Sequence, residues 1–186
     1  MKRAGALMCL LLLLTGCSGR SGEIQRGMAF RGKLLAGDGC SFDAEITADY
    51  GDKLYTFSME CQGDAQGKLS FTVTQPDSIA GITGTASESG GALTFDDVAL
   101  QFDLMADGQV SPVSAPWLFL KTLRSGYLTS AGMEGDLLRL TIDDSYADDA
   151  LQLDIWLNAD DQPVRAEILY DGRRILSLTV TNFEIR

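Results

Sequence analysis

From residue 28 onward the chain alternates apolar and polar residues with a period of two, punctuated by Gly and Asp. That is the pattern of antiparallel strands with one buried face. Phe42, Ala44 and Ile46 alternate with Ser41, Asp43, Glu45 and Thr47, while Tyr55, Phe57 and Met59 alternate with Thr56, Ser58 and Glu60. Asp49-Tyr50-Gly51-Asp52 between them reads as a turn. With Tyr50 and Gly51 at its tip, the hairpin pairs Ile46 with Tyr55, Ala44 with Phe57, Phe42 with Met59 and Cys40 with Cys61, all on the apolar face. Directly opposed Cβ atoms lie about 4.5–5.5 Å apart, close to disulfide reach, so a Cys40–Cys61 bond is expected. Its closure would contribute about 3 kcal/mol through the unfolded state.

The same alternation predicts strands over 28–35, 68–74, 78–85, 92–95, 98–105, 137–143, 151–158, 164–170 and 175–185, about eleven with the first hairpin. A turn at Ala159-Asp160-Asp161-Gln162 pairs Leu157 with Val164, Ile155 with Ala166 and Leu153 with Ile168. The opposite face of that hairpin carries Asp154, Arg165 and Glu167, with Trp156 as an apolar exception. Asp171-Gly172 turns the chain into the last strand, where Leu176, Leu178 and Val180 continue the stripe.

One segment departs from period two. Residues 111–126 carry Ser111 as a cap, early Pro112 and Pro116, a basic last turn and a terminal Gly126, all marks of a short helix near 112–125. Val113, Trp117, Leu120 and Leu123 share one stripe, widened by Leu118 and Phe119, so this helix must lie against an apolar surface. Eleven strands about 4.8 Å apart would make a flat sheet near 50 Å wide, and a helix covers only about 10–12 Å. A sheet with one apolar face must therefore curl, as an incomplete β-barrel or a sandwich, with the helix over part of its concavity.

The N-terminus sets the compartment. Lys2 and Arg3 precede an apolar run from Ala4 to Leu14 that closes on Leu14-Thr15-Gly16-Cys17. The run is too short to span a bilayer, which takes roughly 20 apolar residues, and it reads as a bacterial lipoprotein export signal. Residues 1–16 are expected to be cleaved and Cys17 lipidated, with 17–27 a flexible tether and 28–186 a single β domain. The expected location is extracytoplasmic, lipid-anchored to a bacterial membrane, on its periplasmic side in a diderm cell. Cleavage leaves 13 basic and 26 acidic residues, a net charge of −13. Nucleic acid is excluded as a partner, because phosphate backbones demand a basic surface. Acyl chains on Cys17, rather than charge, must hold the protein to its membrane.

Histidine is absent, which removes the commonest general base and the commonest transition-metal ligand. The acidic doublets Asp96-Asp97, Asp143-Asp144, Asp148-Asp149 and Asp160-Asp161 lack the spacing of a calcium loop and sit where turns belong. No glycine-rich phosphate loop follows a strand into a helix. The chain is read as a non-enzyme with no metal and no cofactor.

Three features together carry a family resemblance: strands opening on Met28-Ala29-Phe30-Arg31-Gly32-Lys33-Leu34, the Ser-Pro-containing apolar helix, and the closing run through Pro163–Ile168, Asp171-Gly172 and Leu178-Thr179-Val180-Thr181-Asn182-Phe183. Over about residues 30–183 the chain resembles the LolA/LolB-like lipoprotein carriers and their relatives of the LppX/LprG type. The resemblance implies an incomplete antiparallel barrel over lid helices, acyl chains held inside, and no catalytic residues. That family usually opens with an amphipathic helix, whereas 18–27 offers no helical stripe. The ligand would meet Phe42, Ile46, Tyr55, Phe57, Met59, Phe71 and Val73 on the sheet and Trp117 and Leu120 on the lid helix. The expected function is binding of an acyl chain or other hydrophobic ligand in a half-barrel cavity. The alternative is an envelope scaffold with a filled core that binds protein partners.

Overall fold

The computed structural model describes residues 18–51, 53–96, 98–103, 105–106, 109–147 and 150–186. Cys17, the export signal and the Asp148-Asp149 doublet lie outside the described residues.

The described residues begin with α1 (Ser18–Ala36) and continue through β1 (Gly39–Asp49), β2 (Leu54–Asp64), β3 (Leu69–Gln75), β4 (Thr83–Ser87), β5 (Gly90–Phe95) and β6 (Val98–Phe102). Two short strands, β7 (Met105–Ala106) and β8 (Gln109–Val110), form a small ribbon, and a 3₁₀ turn (Pro112–Ser114) leads into α2 (Ala115–Ser125). Five more strands follow: β9 (Tyr127–Glu134), β10 (Leu137–Asp143), β11 (Gln152–Leu157), β12 (Pro163–Tyr170) and β13 (Arg173–Ile185). Eleven strands build one antiparallel sheet in the order β6-β5-β4-β3-β2-β1-β13-β12-β11-β10-β9. The edges β6 and β9 stay apart, so the barrel is open.

Curvature follows from what α2 touches. The helix packs on β2 and also on β13, β12 and β10, strands that a flat sheet would spread over more than 20 Å. A helix about 10–12 Å wide reaches both flanks only if the sheet wraps around it. The concave face is continuous across the middle strands. Leu140, Ile155, Ala166, Leu178, Ile46 and Phe57 form one cross-strand row from β10 to β2.

Two expectations are corrected here. Residues 18–36 are helical, so neither the flexible tether over 18–27 nor the strand over 28–35 exists as such. The helix buries Gly27, Phe30 and Leu34, at helical spacing, against β9, β10 and α2. Met28 of the period-two set and the neighbouring Leu35 remain half exposed, as a helix with one buried stripe leaves them. The sheet keeps eleven strands because β9, which the alternation missed, takes the vacated place.

The second correction is register. Tyr50 N–H donates to the Lys53 carbonyl across a four-residue connection, rather than two residues forming the tip. Partners in β1 and β2 are therefore Ile46 with Phe57, Ala44 with Met59, Phe42 with Cys61 and Cys40 with Gly63. A slip of two residues keeps every side chain on its face but moves each to a new neighbour. Cys40 and Cys61 become diagonal neighbours, beyond the reach of a disulfide without backbone movement, and both are buried free thiols. In the late hairpin, Ile155 faces Ala166 and Leu153 faces Ile168 as predicted, while a bulge sets Leu157 opposite Pro163 instead of Val164.

Candidate functional site

The concave face divides into a covered and an uncovered part. Over the covered part, α2 buries Ala115, Pro116, Trp117, Leu118, Phe119, Leu120, Thr122 and Leu123. Phe119 packs edge-on against Phe42 at 5.5 Å between ring centroids, and Phe42 stacks on Phe183 at 5.7 Å. Phe30 of α1 joins the same cluster 6.0 Å from Phe183, so the two helices share one aromatic core.

Polar contacts fix the position of α2. Arg31 Nε donates to the Leu123 carbonyl at 2.7 Å, a cationic cap on the negative end of the helix. Burial without a countercharge holds the Arg31 pKa below the usual guanidinium value. Trp117 Nε1 donates to the Gly67 carbonyl at 3.0 Å, and Arg124 donates to the Ala65 carbonyl at 2.7 Å, both in the β2–β3 loop. Gly63 permits this approach, since a Cβ there would lie 2.2 Å from Leu120 Cδ2.

Most of the predicted lining residues lie under this cover. Phe42, Ile46, Met59, Phe71, Val73, Trp117 and Leu120 are all at most 3% exposed and belong to one apolar cluster. Tyr55 is half exposed and Phe57 half buried, both near the β1–β2 turn. Tyr50 closes that corner, with its hydroxyl donating to the Val110 carbonyl at 3.1 Å and its ring 6.2 Å from Tyr55.

The uncovered part was not foreseen. Pairings run Cys61–Phe71–Gly84–Leu93–Leu100 from β2 to β6, so the apolar row continues on the same face to the sheet edge. Phe95 pairs with Val98 beside it, and Gly91 pairs with Phe102. Here α2 no longer covers the sheet. Leu100 is 62%, Val98 59% and Phe95 48% exposed, and Leu93 is partly buried. The far end of the Phe102 ring lies against Gly91, where a Cβ would come within 2.1 Å of it. The sequence carried a signal for this patch: Leu93, Phe95, Val98, Leu100 and Phe102 alternate cleanly, and only the lack of a cover distinguishes them from core.

The convex face carries the opposite chemistry. Asp154, 1% exposed, accepts from Arg139 at 2.5 Å, Thr141 at 2.8 Å and Gln152 at 3.3 Å. Trp156 lies between the Arg165 and Arg139 guanidiniums, 4.3 and 5.4 Å from its centroid. Glu167 loses solvation by burial, yet its hydrogen bonds from Arg165 and Arg174 outweigh that and hold its pKa below the ordinary carboxylate value. Asp160 and Asp161 form a turn and Asp161 pairs with Arg26 at 2.6 Å. Among the described residues, no group of three or more His, Cys, Asp or Glu side chains is placed to hold a metal ion.

No family model matches the chain, and no curated protein matches it. Among solved structures, the chain is similar to a LolA superfamily protein from Nitrosomonas europaea at 11% identity and a TM-score of 0.45, with 86% of this chain and 93% of that one covered. It is similar to a putative outer membrane lipoprotein-sorting protein domain from Vibrio parahaemolyticus at 10% identity and a TM-score of 0.48, covering 90% and 92%. It is also similar to the Mycobacterium tuberculosis lipoprotein LppX at 14% identity and a TM-score of 0.42, covering 87% and 93%.

Proposed function

We propose that this protein is a non-catalytic, extracytoplasmic lipoprotein, anchored through Cys17, that binds an acyl chain or similar apolar ligand on the concave face of its half-barrel. One observation carries the reading. The apolar row that forms the core does not stop where α2 stops but runs on to Leu93, Phe95, Val98 and Leu100, which face the same concavity without a cover. Contiguous exposed apolar surface on an otherwise charged chain marks a binding site, and a curved floor suits a flexible hydrocarbon better than a flat protein face. An acyl chain would enter beside Phe57 and Tyr55 and lie along β4 to β6. Deeper binding would require α2 to withdraw.

The dense packing of Phe42, Met59, Phe119 and Leu120 favours a second reading, a scaffold with a filled core whose β5–β6 hairpin docks a protein partner. Uptake of a fluorescent fatty acid separates the two. Saturable uptake, weakened at least tenfold by Leu100→Lys or Phe95→Asp, is expected. Both positions are exposed, so these variants should fold. Absence of uptake by the parent protein would overturn the acyl-binding reading and leave the scaffold.

A further inference from the structure

At the opposite end of the strands from that apolar mouth lies a groove of about 470 Å³, lined by Lys68, Lys121, Arg124, Trp117 and the hydroxyl-bearing Ser87 and Ser89 among others. The chain has 26 acidic residues against 15 basic ones, so three cations converging on one groove run against its overall charge. Among the described residues, none of the three takes part in an ion pair, while Arg26, Arg139, Arg165 and Arg174 all do. Glu88 is the one carboxylate in the lining and it is exposed. The neighbouring Asp64 is turned to its own loop, where one carboxylate oxygen accepts from the Gln66 and Lys68 amides at 2.9 Å each.

The groove is also held in shape. Arg124 is pinned to the Ala65 carbonyl and Trp117 to the Gly67 carbonyl, while Lys121 Nζ sits 5.5 Å over the Trp117 ring. A guanidinium held at one nitrogen keeps further N–H donors for an oxyanion. Two ammonium groups add mobile donors, and the Ser87 and Ser89 hydroxyls, 2.9 Å apart and hydrogen-bonded to each other, form the groove's other wall.

We infer that the Lys68–Lys121–Arg124 groove beside Trp117 is a binding site for a phosphate-type oxyanion. A tetrahedral oxyanion with several acceptor oxygens fits three convergent cations better than a single carboxylate does. The inference goes beyond acyl-chain binding and stands whether or not the concave face holds a ligand. The phosphate group has two sources, a free phosphate ester or the headgroup of an anionic lipid.

Trp117 is the reporter. The chain has two tryptophans, and Trp156→Phe removes the other while leaving a ring between Arg139 and Arg165. The full chain in neutral detergent micelles is titrated with inorganic phosphate and glycerol 1-phosphate, then with micelles doped with phosphatidylglycerol or, as control, phosphatidylcholine. A saturable change in Trp117 emission is expected, at least tenfold weaker in affinity in Lys68→Gln/Lys121→Gln. It should tighten several-fold in Glu88→Gln, a gain that misfolding cannot imitate. Response to the soluble phosphates assigns the site to free esters. Response to phosphatidylglycerol alone assigns it to a lipid headgroup. Silence toward both, or equal response in the lysine and Glu88 variants, overturns the site.

Discussion

At the scale of single residues, the two internal cysteines show how a two-residue error in a turn changes chemistry without changing the fold. Cys40 and Cys61 lie on the apolar face, as alternation requires, but Cys40 faces Gly63 and Cys61 faces Phe42. The connection runs from Tyr50 to Lys53 because Asp49 pairs with Leu54, and the Tyr50 hydroxyl is engaged with the Val110 carbonyl. Burial pushes both thiols up in pKa, which keeps them protonated and slow to react. The folded chain should therefore resist alkylation of both thiols at pH 8, and denaturation without reductant should release two reactive thiols from Cys40 and Cys61. A thiol titration that found none after unfolding would restore the bridged register.

At the scale of elements, legibility tracked how one-sided each burial is. Strand β10, Leu137–Asp143, coincides with its predicted range because Leu138, Leu140 and Ile142 are all buried and its polar positions are not. In α2, proline and glycine punctuation marked a helix whose apolar stripe is nearly complete. In α1 the buried stripe is Gly27, Phe30 and Leu34, interleaved with half-buried Glu23, Arg26 and Arg31, so half of its buried positions are not apolar. Arg26 reaches Asp161 and Arg31 caps α2, tertiary partners that no local pattern displays. β9 was invisible because its burial is weak on both faces. The candidate site was legible as a face rather than as a place: alternation found its apolar rows, and only topology reveals where helix cover ends. The seat of α2 is testable. Gly63→Ala forces a Cβ into Leu120 and should cost about 1–3 kcal/mol, while Leu120→Ala alone should cost about 2–5 kcal/mol. Because the second change vacates the space the first needs, the double variant in urea should be more stable than the sum of the two by about 1 kcal/mol or more. Strict additivity would place α2 elsewhere.

At the scale of the whole molecule, one sheet carries two unequal halves. From β2 to β10 most of the concave face is covered by α1, α2 and the Phe30–Phe42–Phe119–Phe183 cluster. At β5 and β6 the same sheet has strands of five or six residues, exposed Phe95, Val98 and Leu100 and an open edge. Local opening free energy falls where buried apolar contacts are few, so amides of 90–102 should exchange fastest within the large sheet and those of β1, β12 and β13 slowest. Open edges invite chance pairing, and a ligand lying across β5 and β6 would stabilise the half that needs it. Hydrogen exchange with and without saturating dodecanoate reads both effects at once. Slower exchange confined to 90–102 is expected if the hydrocarbon rests on the uncovered floor. Faster exchange of 115–125 alongside it would mean that the chain has displaced α2 and entered the core. Unchanged exchange in both segments at saturation would separate the apolar mouth from the ligand altogether.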